Sequence, residues 1–119
     1  MKGKLQLSIE ERPEAKGILR VEGSVDPGTI KEFEAAFKQL DKLGVRHIVV
    51  DLARMTYISS AGLSILVNAK VDRVQKNGDV VLVKPQAPVL NVLDILLKNV
   101  FRIASSVEEA FLPPPGREG

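Results

Sequence analysis

Residues 47–63 read HIVVDLARMTYISSAGL, a continuous apolar run followed by a turn of small and hydroxyl residues. The run at Ile48–Val50 is typical of a central strand that is covered on both faces, and we place this strand at His47–Leu52. Asp51 marks its carboxyl end, and Ala53–Ser59 is interpreted as a short connection to a helix. The stretch therefore predicts one strand-turn-helix unit.

Apolar residues recur at helical spacing both before and after this strand in the sequence. After it, one stripe of apolar residues predicts a helix that ends at Asn77 and Gly78; its members are Leu63, Leu66, Val67, Val71 and Val74. Before it, a helix ends at Gly44 and is predicted to start with a capping box of Thr29 and Glu32, which leaves the carboxylate of Asp26 free in the preceding loop. Its apolar residues are Ile30, Phe33, Phe37 and Leu40.

The ends of the chain supply the remaining elements. Alternating residues at 4–9 and 17–21 predict two strands, and a linker too short for a crossover helix makes them an antiparallel hairpin. Beyond Gly78, residues 80–83 and 101–104 predict two more strands. Pro88 suits the first turn of a helix reaching about Lys98, and Ser106 begins a last helix that three prolines stop.

The resulting order is β-β-α-β-α-β-α-β-α. Repeated right-handed βα crossovers predict a single α/β domain with a mostly parallel five-stranded sheet, one antiparallel edge strand and about four flanking helices. We expect the domain to cover residues 1–112 and residues 113–119 to form a disordered tail.

Composition excludes several classes of function. The 119 residues are 45% hydrophobic and 27% charged with a formal net charge of +2, which is an ordinary globular balance. The absence of cysteine excludes disulfides and thiolate chemistry, and scattered charges with few aromatics argue against direct nucleic-acid binding. No signal peptide and no membrane-spanning run is recognisable, so we expect a cytoplasmic protein without membrane insertion.

Two loops are the candidate sites, because ligands of open α/β sheets bind at the carboxyl ends of the strands. One is Gly23–Thr29 and the other is Ala53–Ala61, which carries two adjacent hydroxyls. Ser59 and Ser60 can be explained simply as helix caps. Gly62 can be explained by close packing of the helix on the sheet. Spacing alone favours capping over chemistry.

The motifs in these loops resemble those of the STAS domain, the fold of the bacterial anti-sigma-factor antagonists. Residues 48–52 and 55–63 carry the likeness, together with Gly23-Ser24-Val25-Asp26 before Thr29, and Asn77-Gly78 before the next strand. The likeness extends from about Leu5 to Phe111. It implies a protein-binding regulator that is not an enzyme and has no catalytic residue, cofactor or metal.

The resemblance also implies a switch. In that family a serine at the start of the second helix is phosphorylated by the partner, an anti-sigma factor with serine kinase activity, and the modified antagonist no longer binds. Matching the motif places the acceptor at Ser60. It places Asp26, Tyr57, Ser59, Ala61 and Gly62 on the partner surface, and it implies a PP2C-type phosphatase as a second partner.

Ser59 departs from the family pattern, because many phosphorylated members have Asp there. This favours an alternative, a STAS scaffold or transporter-associated subunit in which Ser60 is only a cap. A hydrolase using Ser60 is a third hypothesis. It is disfavoured because His47, the only histidine, begins the strand at the end away from the turn.

Overall fold

The computed structural model describes residues 5–114 and confirms the predicted architecture. Five strands lie in the order β1-β2-β3-β4-β5, with β1 antiparallel to β2 and every other neighbouring pair parallel. The strands are β1 Gln6–Arg12, β2 Lys16–Val25, β3 His47–Ile58, β4 Asp79–Val83 and β5 Ile103–Ala104. The helices are α1 Ile30–Lys42, α2 Ser60–Gln75, α3 Ala87–Leu96 and α4 Val107–Ala110.

Strand β3 is longer than the sequence predicted. Residues 53–58, interpreted as a connection, continue the strand and pair with β2 up to Val25 opposite Ile58. Two register shifts interrupt this part of the ladder, at Arg20/Glu22 and at Gly23/Ser24. Such bulges break the two-residue alternation that identifies a strand, which explains why the pattern of residues 52–58 reads as irregular.

The two faces of the sheet are covered unequally. Helices α1, α2 and α3 pack on one face over the main core, which includes Leu19, Phe33, Leu40, Val50, Leu66 and Leu82. Within the described part of the chain, the other face has only the short α4, which covers a second cluster of Ile18, Val49, Val81, Val83 and Ala104 through Ala110. Beyond that cluster, ion pairs such as Arg20 with Glu10 line the sheet surface, as on a sheet with one solvated side.

The apolar stripe predicted for α2 is wrong in its second half. Leu63 and Leu66 are buried, but Val71 and Val74 are 51% and 52% exposed. Arg73 is only 3% exposed, although arginine is a residue type that mostly lies at the surface. The buried row continues instead through Ala69 to Arg73, because Arg73 contacts Val45 and Asp41 from other parts of the chain.

Some residues at each end of the chain lie outside the described range. Pro113 and Pro114 have neither helical nor strand conformation, and the rest of the predicted tail, residues 115–119, lies outside the described residues together with residues 1–4. Among residues 5–114, no helix combines the length and hydrophobicity needed to cross a bilayer.

Candidate functional site

The two serines at the start of α2 have different environments. Strand β3 ends at Ile58, and Ser59 is the N-cap residue, with extended backbone angles (φ −81°, ψ 170°). Its hydroxyl oxygen accepts a hydrogen bond from the backbone N–H of Gly62, 3.2 Å away. Ser59 thus satisfies one of the amides that a helix start leaves without a partner.

Ser60 is the first residue of the helix and is exposed. Because Ser59 already caps the helix, Ser60 is not needed for capping, and its hydroxyl makes no hydrogen bond to another described residue. The side chain lies at the mouth of the strand-to-helix turn, where the positive end of the helix dipole favours a negative group. A second protein can therefore reach this hydroxyl.

The loop after β2 lies beside this turn. Val25 is paired with Ile58 at the ends of the two parallel strands, and the backbone N–H of Ser59 donates to the carbonyl oxygen of Val25 at 2.9 Å. Asp26 follows Val25 directly. The structure thus brings together the two loops that the sequence identified separately.

The carboxylate of Asp26 is not free, contrary to the prediction. Its Oδ2 accepts from the hydroxyl of Ser24 at 3.0 Å, and its Oδ1 accepts from the backbone N–H of Gly28 at 2.9 Å. The hydrogen bond from Ser24, followed by those from Gly28 and Thr29, lowers the pKa of Asp26 below its ordinary value. This loop therefore keeps a negative charge next to the turn.

Thr29 occupies the predicted N-cap position but forms no capping box. Its side chain makes no capping hydrogen bond to α1. Its hydroxyl instead donates to the carbonyl oxygen of Ser24 at 2.7 Å and accepts from the backbone N–H of Asp26 at 3.0 Å. Because one hydroxyl cannot reach both the loop and the helix amides, it closes the Asp26 loop, and the capping-box prediction is wrong.

The other predicted contact residues lie at different depths. Tyr57 is 53% exposed and Ala61 is exposed, so both are accessible to a partner. Gly62 is buried, contrary to its predicted place on the partner surface. An added Cβ would lie 2.7 Å from Ile58 and 2.8 Å from Val25, so Gly62 allows α2 to pack closely on the sheet.

A groove of about 350 Å³ opens next to Ser60. It lies between α2 and the end of α3, and none of the described residues that line it is charged: Ser60, Leu63, Ser64, Val67, Asn68, Leu96 and Leu97. The sequence did not reveal the contribution of α3. The helix itself was predicted, but the groove depends on how two helices pack on the same sheet.

His47 and Asp51 lie away from this site. His47 is the first residue of β3 and the turn follows its last residue, a strand length of roughly 35 Å at about 3.3 Å per residue. Asp51 accepts a hydrogen bond from the backbone N–H of Ala53 at 3.0 Å. In residues 5–114 no three His, Asp or Glu side chains are grouped to hold a metal ion.

Comparison with known proteins identifies the family. The sequence matches the family model of the STAS domain over residues 6–110. The chain belongs to the STAS family. It is 35% identical over 92 residues to BtrV of Bordetella bronchiseptica, which carries the name of an anti-sigma factor antagonist, and the match covers 76% of this chain and 78% of BtrV. The sequence-based identification is thereby confirmed.

Solved structures show the same STAS fold. The anti-sigma factor antagonist SpoIIAA in its unphosphorylated form superposes with a TM-score of 0.75 at 19% identity, covering 88% of this chain and 92% of SpoIIAA. The phosphorylated form of SpoIIAA superposes with a TM-score of 0.70 at 15% identity, and the match covers 87% of this chain and 94% of SpoIIAA. A protein of Thermotoga maritima superposes with a TM-score of 0.76 at 22% identity, and the match covers 89% of this chain and 90% of that protein.

Proposed function

We propose that this STAS protein binds an anti-sigma factor with serine kinase activity through the surface around Ser60, and that phosphorylation of Ser60 ends the binding. The observation that carries the proposal is the exposed hydroxyl of Ser60 beside a helix cap that Ser59 already provides. The name of BtrV as an anti-sigma factor antagonist supports the partner. The existence of a phosphorylated form of SpoIIAA supports the modification.

The local structure suits a switch that leaves the fold intact. A phosphate on Ser60 faces the amides and the positive dipole end of α2, so the helix accommodates it. The modification adds about −1.5 to −2 charges at neutral pH. Among residues 5–114, the lining of the adjoining groove includes no cation to receive that charge, and Asp26 in the neighbouring loop is held ionised.

The charge of the phosphate instead weakens the complex with the partner. A partner seated on the groove removes water from the phosphate, and a desolvated charge without an opposite charge opposes binding strongly. Unmodified Ser60 carries no such penalty. Phosphorylation thus lowers the affinity for the partner without unfolding the domain, and a PP2C-type phosphatase restores it.

The proposal includes no catalytic role for this chain. A serine nucleophile needs a base within hydrogen-bond reach, and His47 lies at the other end of β3. We place the protein in the cytoplasm because the proposed partner acts on a sigma factor there.

The decisive experiment measures phosphorylation and binding together. Incubation with the purified cognate anti-sigma factor and ATP is expected to add one phosphate, detected by mass spectrometry, to the wild type and to S59A but not to S60A. In calorimetric titrations S60A is expected to bind like the wild type, and S60D is expected to bind at least tenfold more weakly. A modified S60A, or an unchanged affinity of S60D, contradicts the proposal.

A second candidate function rests on Ser59, which supplies the cap without the charge of the family's Asp. In a constitutive STAS scaffold or transporter-associated subunit, Ser60 needs no modification. That function predicts that S60A and S60D bind the same transport partner equally and that no kinase modifies the wild type.

A further inference from the structure

The turn from α2 to β4 is closed by two backbone hydrogen bonds. The N–H of Gly78 donates to the carbonyl oxygen of Arg73 at 2.7 Å, and the N–H of Asn77 donates to that of Val74 at 3.1 Å. With Lys76 as the C-cap residue, this pair of bonds is a Schellman motif, in which the residue after the C-cap has a left-handed backbone. Asn77 has a φ of 65°. Position 77 is therefore restricted to residues that tolerate a positive φ, chiefly glycine and asparagine.

Position 78 is restricted by a neighbouring strand. A Cβ added to Gly78 would lie 1.9 Å from the carbonyl oxygen of Arg46, the residue before β3. That distance is far shorter than any contact between backbone and side-chain atoms, so no side chain fits. The same carbonyl oxygen accepts a hydrogen bond from the N–H of Asp79, the first residue of β4, at 3.1 Å. Glycine at position 78 therefore allows the start of β4 to approach β3.

The two requirements together place asparagine directly before glycine, the dipeptide in which asparagine is chemically least stable. The backbone nitrogen of the glycine, after losing its proton to hydroxide, attacks Cγ of the asparagine side chain. A new C–N bond closes a succinimide ring, the bond from Cγ to the side-chain nitrogen breaks, and that nitrogen leaves as ammonia. Water then opens the ring at either carbonyl group and gives aspartate or isoaspartate. Glycine favours the attack because no side chain shields its nitrogen.

The folded structure opposes this reaction at one atom. The attacking nitrogen is that of Gly78, and its proton is held in the 2.7 Å hydrogen bond to the carbonyl oxygen of Arg73. Asn77 is exposed, and its side chain makes no hydrogen bond to another described residue, so water reaches the amide group. The reaction therefore requires the hydrogen bond of Gly78 to break, which is a local opening at the end of α2.

The side chain of Arg73 stabilises the closed turn. Its Nε donates to the carbonyl oxygen of Val45 at 2.9 Å, and its Nη2 forms an ion pair with the carboxylate of Asp41 at 2.6 Å. Asp41 lies in the last turn of α1, and Val45 follows that helix. Because the carbonyl oxygen of Arg73 holds the N–H of Gly78, the contacts of Arg73 with the end of α1 affect how often the turn opens.

We propose that Asn77 is a site of spontaneous covalent modification and that the closure of α2 sets the rate of succinimide formation. Isoaspartate adds a carbon atom to the main chain at position 77, so the two closing hydrogen bonds no longer align and the end of α2 loosens. Aspartate keeps the main chain but adds a negative charge at the negative end of the helix dipole, which is unfavourable. Both products destabilise the helix that begins at Ser60. The inference is independent of the proposed function, because no partner takes part in the reaction.

Peptide mapping by mass spectrometry, after incubation of the full chain at mildly alkaline pH, measures the reaction. The wild type is expected to accumulate aspartate and isoaspartate at position 77. The rate is expected to be at least about tenfold lower in the folded protein than in guanidinium chloride, because the turn must open first. Asn99 is the internal control, since it is exposed and has the same φ of 65° but is followed by Val100. Asn99 is expected to stay unmodified over the same period.

Two variants test the chemistry and the opening separately. N77G keeps the left-handed closure and has no side-chain amide, so its peptide is expected to show no mass gain and its unfolding in urea to match the wild type. D41N removes the ion pair with Arg73, so it is expected to accelerate the modification of the folded protein severalfold and to leave the rate in guanidinium chloride unchanged. Hydrogen exchange of the Gly78 amide is expected to accelerate by the same factor, since both processes need the same opening.

Several results would overturn the inference. Equal rates in the folded protein and in guanidinium chloride would mean that the closure of α2 does not control the reaction. A D41N variant with faster exchange of the Gly78 amide but an unchanged modification rate would mean the same. Equal rates at Asn77 and Asn99, or an unmodified Asn77 in guanidinium chloride, would mean that the Asn77-Gly78 pair is not a reactive site. None of these results bears on the phosphorylation of Ser60.

Discussion

At the scale of single residues, the adjacent Ser59 and Ser60 are chemically identical but differ in what they contact. Ser59 caps α2 through the amide of Gly62, whereas Ser60 faces solvent. We expect S59A to lower the free energy of unfolding by about 1 kcal/mol, the usual loss for a serine cap. S60A is expected to change it by less than about 0.5 kcal/mol.

Urea denaturation of both variants checks this assignment. Equal losses for S59A and S60A, or a larger loss for S60A, would mean that Ser60 supports the helix. The division of roles on which the proposed switch depends would then be wrong.

The titration of Asp26 gives a second prediction at this scale. Hydrogen bonds from Ser24, Gly28 and Thr29 depress its folded pKa below the ordinary value of 3.8. The stability that these bonds contribute is fully present above pH 3.8, and it is lost as the pH falls through the folded pKa. We expect S24A to raise the pKa of Asp26 toward the ordinary value, because the hydrogen bond that lowers this pKa most is removed.

Carboxyl-carbon NMR shifts measured against pH test this expectation directly. S105A serves as the control, because Ser105 donates to Glu109 and its loss is expected to raise the pKa of Glu109 alone. An Asp26 that titrates at the same pH in S24A and in the wild type would contradict the hydrogen-bonded loop.

At the scale of elements, the contact between α2 and the sheet depends on the missing side chain of Gly62. Alanine there gains up to about 1 kcal/mol of helix propensity. Its Cβ would however lie 2.7 Å from Ile58 and 2.8 Å from Val25, and such overpacking costs typically 1–3 kcal/mol. We expect the steric cost to exceed the gain, so G62A lowers stability and shifts the start of α2.

G28A provides a matched comparison in the neighbouring loop. A Cβ at Gly28 meets only Asp26, at an ordinary contact distance of 3.4 Å. Thermal unfolding is expected to show a lower Tm for G62A than for G28A. The reverse order would mean that α2 does not rest on the ends of β2 and β3 as closely as described.

At the scale of the whole molecule, the short α4 is the principal cover of one sheet face. Ile18, Val49 and Val81 lie beneath it, and Arg102 holds its end by donating to the carbonyl oxygens of Glu109, Ala110 and Leu112. Truncation after Ser105 is expected to lower stability by at least about 3 kcal/mol, because several buried aliphatic side chains become exposed. The exposed face is also expected to bind the dye ANS.

Truncation after Leu112 is the corresponding control. It keeps α4 and the carbonyl groups that Arg102 contacts, so the free energy of unfolding is expected to stay within about 0.5 kcal/mol of that of the full chain. This variant also tests the predicted domain end at residue 112. A large loss of stability would show that the segment after Leu112 belongs to the folded domain.

The sequence by itself determined the order of the elements and the place of the candidate site. Apolar runs, helical spacing and capping residues are local signals, and the short hairpin linker and right-handed crossovers leave few ways to connect the strands. Ser60 could be singled out because a strand-to-helix turn, a helix start and a family motif coincide in consecutive residues. Each of these features can be identified from a stretch of about fifteen consecutive residues.

Only the tertiary structure decided which side chains face water and which contact each other. The sequence cannot show that β3 continues through two bulges, because bulged residues lose the alternation that marks a strand. It cannot show that Arg73 is buried while Val71 and Val74 are exposed, since that depends on Asp41 and Val45, which are distant along the chain. Local periodicity gives the faces of a helix, but partners from other elements decide which face turns inward.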